Sequence, residues 1–210
     1  MSINSLEIFL HWFGGLLTYA TLVVILYGIW RGTRRPTGRI SGLRAGWLRS
    51  PWFYFVTTAL FIWIGFLLWK PIPIFLPPST RWGELAIGSL LFFPGLSLVL
   101  WGRLALGNNY FASSAFGTQL FAGHKLVTSG PFSIVRHPIY LGLAMAAVGS
   151  LFIYNTWTSL IFALTAPFVF IRVHHEEKAL AAEFGEEWQV YCQHVGTLGP
   201  KFGKYKSVTK

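Results

Sequence analysis

Two short stretches of the chain hold the residue types that could do chemistry. The first, Gly123 to Tyr140, sets His124, Lys125, Arg136, His137 and Tyr140 around a Gly130-Pro131 turn signal. His137-Pro138 then opens a long apolar run, and proline suits the first turn of a helix. A helix start leaves backbone N–H groups without intrahelical partners, so this end can hold a carboxylate or a phosphate. The second stretch runs Arg172, His174, His175, Glu176, Glu177. Arg172 and Glu176 are four apart, so on a helix they share a face. They can pair, or they can frame a small molecule with one positive and one negative contact. Each stretch also has a plainer reading. Arg136 and His137 can be interfacial anchors of a span, and Arg172–Glu176 an exposed helical pair. His174, His175 and Glu176 lack the HExxH spacing of a metal site, so no metal is expected. Cys192, the single cysteine, has only His194 as a nearby activator and reads as an apolar or interfacial residue.

The elements that must carry these stretches are apolar. Hydrophobic residues make up 53% of the 210 residues and charged ones 11%, against about 25% in soluble domains. That excludes an ordinary water-soluble domain and a disordered chain, and it points to lipid as the main solvent. The net charge of +10 comes from basic residues placed between apolar blocks. That pattern fits a membrane surface better than nucleic acid, and no recognition module surrounds the arginines. A span needs about 20 apolar residues. Ile8–Trp30 is one block, interrupted by His11, which is expected to make an interhelical hydrogen bond. It is too long for a signal peptide and follows no basic segment, so it reads as a retained span. Trp52–Trp69 is a second, closed by Pro71, Pro73, Pro77 and Pro78. Leu85–Gly102 is a third, with Pro94 expected to kink it.

Pro138–Ile171 decides the topology. It is 34 residues long without a charge, and as one helix it would reach about 51 Å, far beyond the hydrocarbon core. The polar run Asn155-Thr156-Trp157-Thr158-Ser159 lies midway. Two short spans, Pro138–Tyr154 and Trp157–Ile171, therefore form a tight hairpin, and the two chemical stretches meet on one side of the bilayer. The expected fold is an all-α integral membrane protein of about five transmembrane helices. With the N-terminus outside, fifteen Lys and Arg fall on inner segments and two, Lys70 and Arg81, on the outer loop between spans two and three. The C-terminus is then cytoplasmic, and the compact layout suits a bacterial-type inner membrane. Beyond Arg172, Leu180, Phe184, Trp188, Tyr191 and Val195 recur at helical spacing, with Gly185 as a weak point. This amphipathic cytoplasmic helix can lie on the membrane surface or on the spans. The chain reads as one membrane domain, 1–210, with three N-terminal spans in 1–105 and the chemical core and its lid in 106–210.

The motifs Leu106-Gly-Asn-Asn-Tyr110, Gly123-His-Lys-Leu-Val127, Arg136-His-Pro-Ile-Tyr140, Glu176-Glu-x-x-Leu180 and Phe184-Gly-Glu-Glu-Trp188, followed by Tyr191, stand in one order over nearly half the chain. Together they resemble the isoprenylcysteine carboxyl methyltransferase family and the related phospholipid methyltransferases. The resemblance implies S-adenosylmethionine as methyl donor and a lipophilic or prenylated acceptor met at the membrane–cytosol boundary. It implies that His124, Lys125, Leu126 and Val127 border the donor largely through backbone groups. His137, Pro138, Ile139 and Tyr140 would line the same pocket, with Phe132 near it where a family tyrosine can stand. Glu176 matches the acidic contact to the donor, and Arg172 the arginine that faces the acceptor.

Several alternatives stay open. The acceptor group can be a carboxylate, a phospholipid amine or a small thiol. A sterol-type membrane reductase shares the Arg-His-Pro-x-Tyr pattern and would use NADPH, although such enzymes resemble Arg-His-Pro-Asn-Tyr where this chain has Ile139. A non-catalytic, lipid-binding scaffold built on the six-arginine segment 31–51 is the third class.

Overall fold

Backbone polar groups in lipid must be satisfied within the segment that carries them, so apolar runs of this kind fold as helices. The computed structural model describes residues 3–34, 37–42, 50–73, 77–110, 117–121 and 125–201. Its helices are α1 (Ile3–Thr33), α2 (Pro51–Leu67), α3 (Pro78–Leu106), α4 (Pro138–Tyr154), α5 (Trp157–Thr165) and α6 (Phe168–His194). Three helical stretches, Ile3–Gly32, Ser79–Asn109 and Trp157–His194, are long and apolar enough to cross a membrane, and α2 and α4 are shorter apolar helices. Trp52, Val56, Leu60, Trp63 and Phe66 on α2, and Phe9, Trp12 and Leu16 on α1, stand exposed. An apolar face this broad is expected against acyl chains and not against water. The protein is an all-α integral membrane protein, as the composition requires.

The tightest contact is between α3 and α4. Gly88, Gly95 and Gly102 recur every seven residues on α3, facing Gly142 and Gly149 on α4. A Cβ on Gly142 would stand 2.5 Å from the Gly95 carbonyl oxygen, and one on Gly149 2.5 Å from the Phe92 nitrogen. Small residues let two backbones approach when lipid offers no hydrophobic drive to associate. This seam fixes the start of α4, and with it Pro138, against the end of α3. The helix α3 continues through Pro94.

The hairpin forms where the polar run lies. Asn155 ends α4 in the left-handed conformation, and Thr156 caps α5 in a reciprocal capping box with Ser159. The turn is pinned to the loop after α2: Ile72 N–H donates to the Asn155 carbonyl at 2.8 Å, and Trp157 N–H to the Lys70 carbonyl at 3.1 Å. Nearby, Arg81 on α3 bonds to Glu7 on α1, to Glu84, and to the carbonyls of Phe152 and Ile153. His11 reaches the Ile153 carbonyl at 2.9 Å, the interhelical bond expected of it.

Two features depart from the sequence reading. The fifth span does not run unbroken to Ile171. It breaks at Ala166-Pro167, because Pro167 has no N–H to donate, and α6 then restarts with bonds that span three residues, from Val169 N–H to the Ala166 carbonyl and from Phe170 N–H to the Pro167 carbonyl. Phe168–Ile171 and the charged residues from Arg172 onward thus belong to one helix, α6. The second departure is a two-stranded antiparallel ribbon, β1 (Thr37–Gly42) with β2 (Gly117–Phe121), which pairs Thr37 with Phe121 and Gly42 with Gly117. It ties the arginine-rich segment to the chain just before the chemical core, and no period-2 apolar pattern announced it.

Candidate functional site

The 34 uncharged residues double back, so Arg136 and Glu177 meet although 41 positions separate them. Glu177 Oε1 accepts from Arg136 Nε at 2.9 Å, from Arg136 Nη2 at 2.7 Å and from His137 Nε2 at 3.2 Å. The same guanidinium donates to the Val195 carbonyl at 2.6 Å and to Thr197 Oγ1 at 2.5 Å. Arg136 N–H bonds to the Gly196 carbonyl and His137 N–H to that of Thr197. Tyr191, only 1% exposed, donates its hydroxyl to the Phe132 carbonyl at 2.5 Å. These bonds clamp α6 and the residues just after it onto the segment 132–137. Burial alone would push the Glu177 carboxyl up. The bonds from His137 and Arg136, together with their charges, outweigh it and bring its pKa down to about 2.

Under this clamp lies a cavity of about 210 Å³. Lys125, Leu126 and Val127 form one wall, and the start of α4 (Pro138, Ile139, Tyr140) forms another, with His137 and Phe132 between them. Glu176 and Leu180 of α6 face them, with Trp188 and Tyr191 from beyond Gly185. The lid can turn over the cavity because Gly185 interrupts α6 with φ 50° and ψ −115°, a conformation that side-chain-bearing residues rarely adopt. Its apolar stripe is therefore spent on the cavity roof, where Trp188, Tyr191 and Val195 pack with Leu126, Leu180 and Phe184.

Half of the described lining residues carry a polar group. Glu176 Oε2 is buried with no hydrogen-bond partner among the described residues, a costly state unless a ligand donates to it. Tyr110, just past α3, also lines the cavity. Burial pushes its phenol up to about 12 against the pull of Arg103, with Glu176 and Tyr54 adding to the rise, so it is a neutral donor at physiological pH. The Arg103 guanidinium stacks on its ring at 4.2 Å and fills a notch left by Gly28 on α1.

Of the residues singled out from sequence, Lys125, Leu126, Val127, Phe132, His137, Pro138, Ile139, Tyr140 and Glu176 line one cavity. His124 lies outside the described residues. Arg172 is not among the lining residues. It sits one turn before Glu176, within electrostatic reach of the buried Tyr54 of α2. Among the described residues the ion pair here is Arg136–Glu177 and not the i,i+4 pair Arg172–Glu176. Sequence reasoning held Arg136 between a chemical role and an anchor and left it, Tyr110, Leu143 and Leu180 out of the site. Spacing alone does not reveal a bond across 41 residues, but Tyr110 and Leu180 close two of the quoted motifs and could have been found there.

A sequence profile described as phospholipid methyltransferase matches residues 84–187, which span most of α3, the cavity walls and most of α6. The chain belongs to the phospholipid methyltransferase family. Proteins similar to this chain include methanethiol S-methyltransferase of Pseudomonas sp. (strain GM41(2012)), 31% identical over 163 residues, covering 73% of this chain and 60% of that protein. Protein-S-isoprenylcysteine O-methyltransferase of Mus musculus is 32% identical over 150 residues, 68% of this chain and 50% of that protein. Protein-S-isoprenylcysteine O-methyltransferase B of Arabidopsis thaliana is 28% identical over 127 residues, 52% of this chain and 64% of that protein. The chain thus spans between half and two thirds of the length of these curated relatives. Nearly all of the cavity falls inside the family match, with Trp188 and Tyr191 just beyond it.

Proposed function

We propose that this family member transfers a methyl group from S-adenosylmethionine to a lipophilic acceptor at the membrane–cytosol boundary, with a carboxylate as the acceptor group. The observation that carries the reading is the buried, unsatisfied Glu176 carboxylate oxygen in a roofed cavity. The donor set fits such a molecule. Glu176 accepts from an ammonium or from ribose hydroxyls, and the positive end of α4 suits a carboxylate. Leu126, Val127, Phe132 and Trp188 provide apolar walls for a base. S-adenosylmethionine, when bound, supplies an electrophilic methyl group on a sulfonium. The chain's part is to orient and to exclude water, effects worth at best about 7–11 kcal/mol. A carboxylate is already nucleophilic, so no general base is needed. Arg172, one turn from Glu176 and close to Tyr54, aims the acceptor through its planar fork. The arginine bias orients the chain with its N-terminus outside and this site on the cytoplasmic face of an inner-type membrane.

A second reading has a small thiol as acceptor. It is favoured by the broad coverage of the similarity to methanethiol S-methyltransferase.

The test is calorimetric titration of the full chain in detergent with S-adenosylhomocysteine and, in parallel, NADPH, followed by methyl transfer to prenylcysteine and to short-chain thiols. Binding of the homocysteine product, lost in Glu176→Gln, with methylation of the prenylcysteine, is expected. Preference for NADPH would overturn the reading. Methylation of the thiols alone would move the acceptor to the second one.

A further inference from the structure

We infer a second ligand site, for an anionic phospholipid, in the groove between the end of α1 and the start of α2. The groove measures about 730 Å³, the larger of the two cavities described here, and it has no part in the methyl-transfer site. Val23, Leu26 and Trp30 of α1 and Trp52 and Phe55 of α2 give it apolar walls, and among the described residues its one charged lining residue is Arg34.

Three observations fix the occupant. First, Trp52 and Phe55 belong to the apolar helix α2, whose outer face is expected against acyl chains, so what fills the groove comes from lipid and not from water. Second, the charge sits at one end only. Arg34 is held with its guanidinium carbon 3.9 Å from the centre of the Trp30 ring, so a headgroup meets a cation there while the tail meets hydrocarbon. Third, among the described residues Arg34 makes no ion pair with an acid. All seven acids of the chain are Glu7, Glu84, Glu176, Glu177, Glu183, Glu186 and Glu187, and none falls in residues 31–51, which carry six arginines. Pro51 opens α2 at the same rim, with the positive end of that helix beside Arg34. A phosphodiester headgroup on Arg34 with an acyl chain along Trp52 and Phe55 satisfies all three. A zwitterionic lipid would bring its own cation to the same place and lose the gain.

The test uses the full chain in detergent micelles, titrated with phosphatidylglycerol or phosphatidylcholine brominated along one acyl chain, which quenches nearby tryptophans. Quenching with an apparent affinity about fivefold higher for phosphatidylglycerol is expected, the preference one basic side chain gives near a membrane surface. Arg34→Ala should remove the preference and leave the phosphatidylcholine curve unchanged. Trp52→Phe should reduce the quenching amplitude for both lipids. Binding of S-adenosylhomocysteine to Arg34→Ala should match that of the parent chain and so report that the variant is folded. Equal quenching by both lipids would overturn the inference. So would a preference that survives Arg34→Ala, or a groove closed by a second copy of the chain, seen as a detergent-stable dimer that Trp52→Ala dissociates.

Discussion

Glu176 and Glu177 are neighbours in sequence and opposites in role, and exchanging each for glutamine separates the clamp from the site. Glu177 Oε1 takes three N–H donors from Arg136 and His137. The Arg136 side chain is 8% exposed and that of His137 3%. Breaking a buried pair costs about 3–5 kcal/mol, and partial exposure of Glu177 puts this one at the low end. The fall of its pKa to about 2 corresponds to a similar figure, on the order of 3 kcal/mol. Glu177→Gln should therefore lower the Tm of the detergent-solubilised protein by several degrees. Glu176 has a buried oxygen without a partner, so Glu176→Gln should leave the Tm unchanged or raise it slightly. With S-adenosylhomocysteine at about one hundred times its Kd, the parent chain should gain about 2.7 kcal/mol of stability. Glu176→Gln should lose that gain, and Glu177→Gln should keep part of it. Thermal melts of the three proteins, with and without ligand, decide the matter. If Glu176→Gln is as destabilising as Glu177→Gln, or keeps the full ligand shift, the assignment of the two acids is wrong.

Acid should release the same clamp. Because the folded Glu177 pKa lies below the ordinary carboxylate value, its contribution is complete above pH ~4.5 and is lost as the pH falls toward about 2. The parent chain should thus lose stability across that window, and the difference between parent and Glu177→Gln melts should shrink with it. Gly142→Leu places a side chain where a Cβ alone would stand 2.5 Å from the Gly95 carbonyl oxygen. It should cost at least the 1–3 kcal/mol typical of overpacking, read as a lower Tm together with loss of S-adenosylhomocysteine binding as α4 shifts. Gly185→Ala meets open space but a positive φ, so it should cost about 1–3 kcal/mol and weaken ligand binding through the lid, measured by calorimetry.

Much of this architecture was legible in the residues, for identifiable reasons. The length limit on a span required Pro138–Ile171 to fold back, and Asn155 and Thr156 have the left-handed and capping habits that a tight turn needs. The cavity walls at 125–127 and 137–140 were what the family resemblance implied. The break at Pro167 was readable in principle, since proline has no N–H, but an uncharged run masks it. The Arg136–Glu177 clamp was not readable, because nothing local distinguishes Glu177 from Glu176 until the hairpin sets which of them meets Arg136. The β1–β2 ribbon left no signal either, since Thr37–Gly42 and Gly117–Phe121 lack the alternation of a half-buried strand.

The return of the chain across the bilayer is tested most directly by single cysteines in a Cys192→Ser background. Lys70→Cys, Lys125→Cys and Lys178→Cys, all at exposed positions, are labelled with a membrane-impermeant maleimide in sealed vesicles of known sidedness. Positions 125 and 178 should react from one side and position 70 from the other. Labelling of 125 and 178 from opposite sides would mean that the two walls of the cavity never meet.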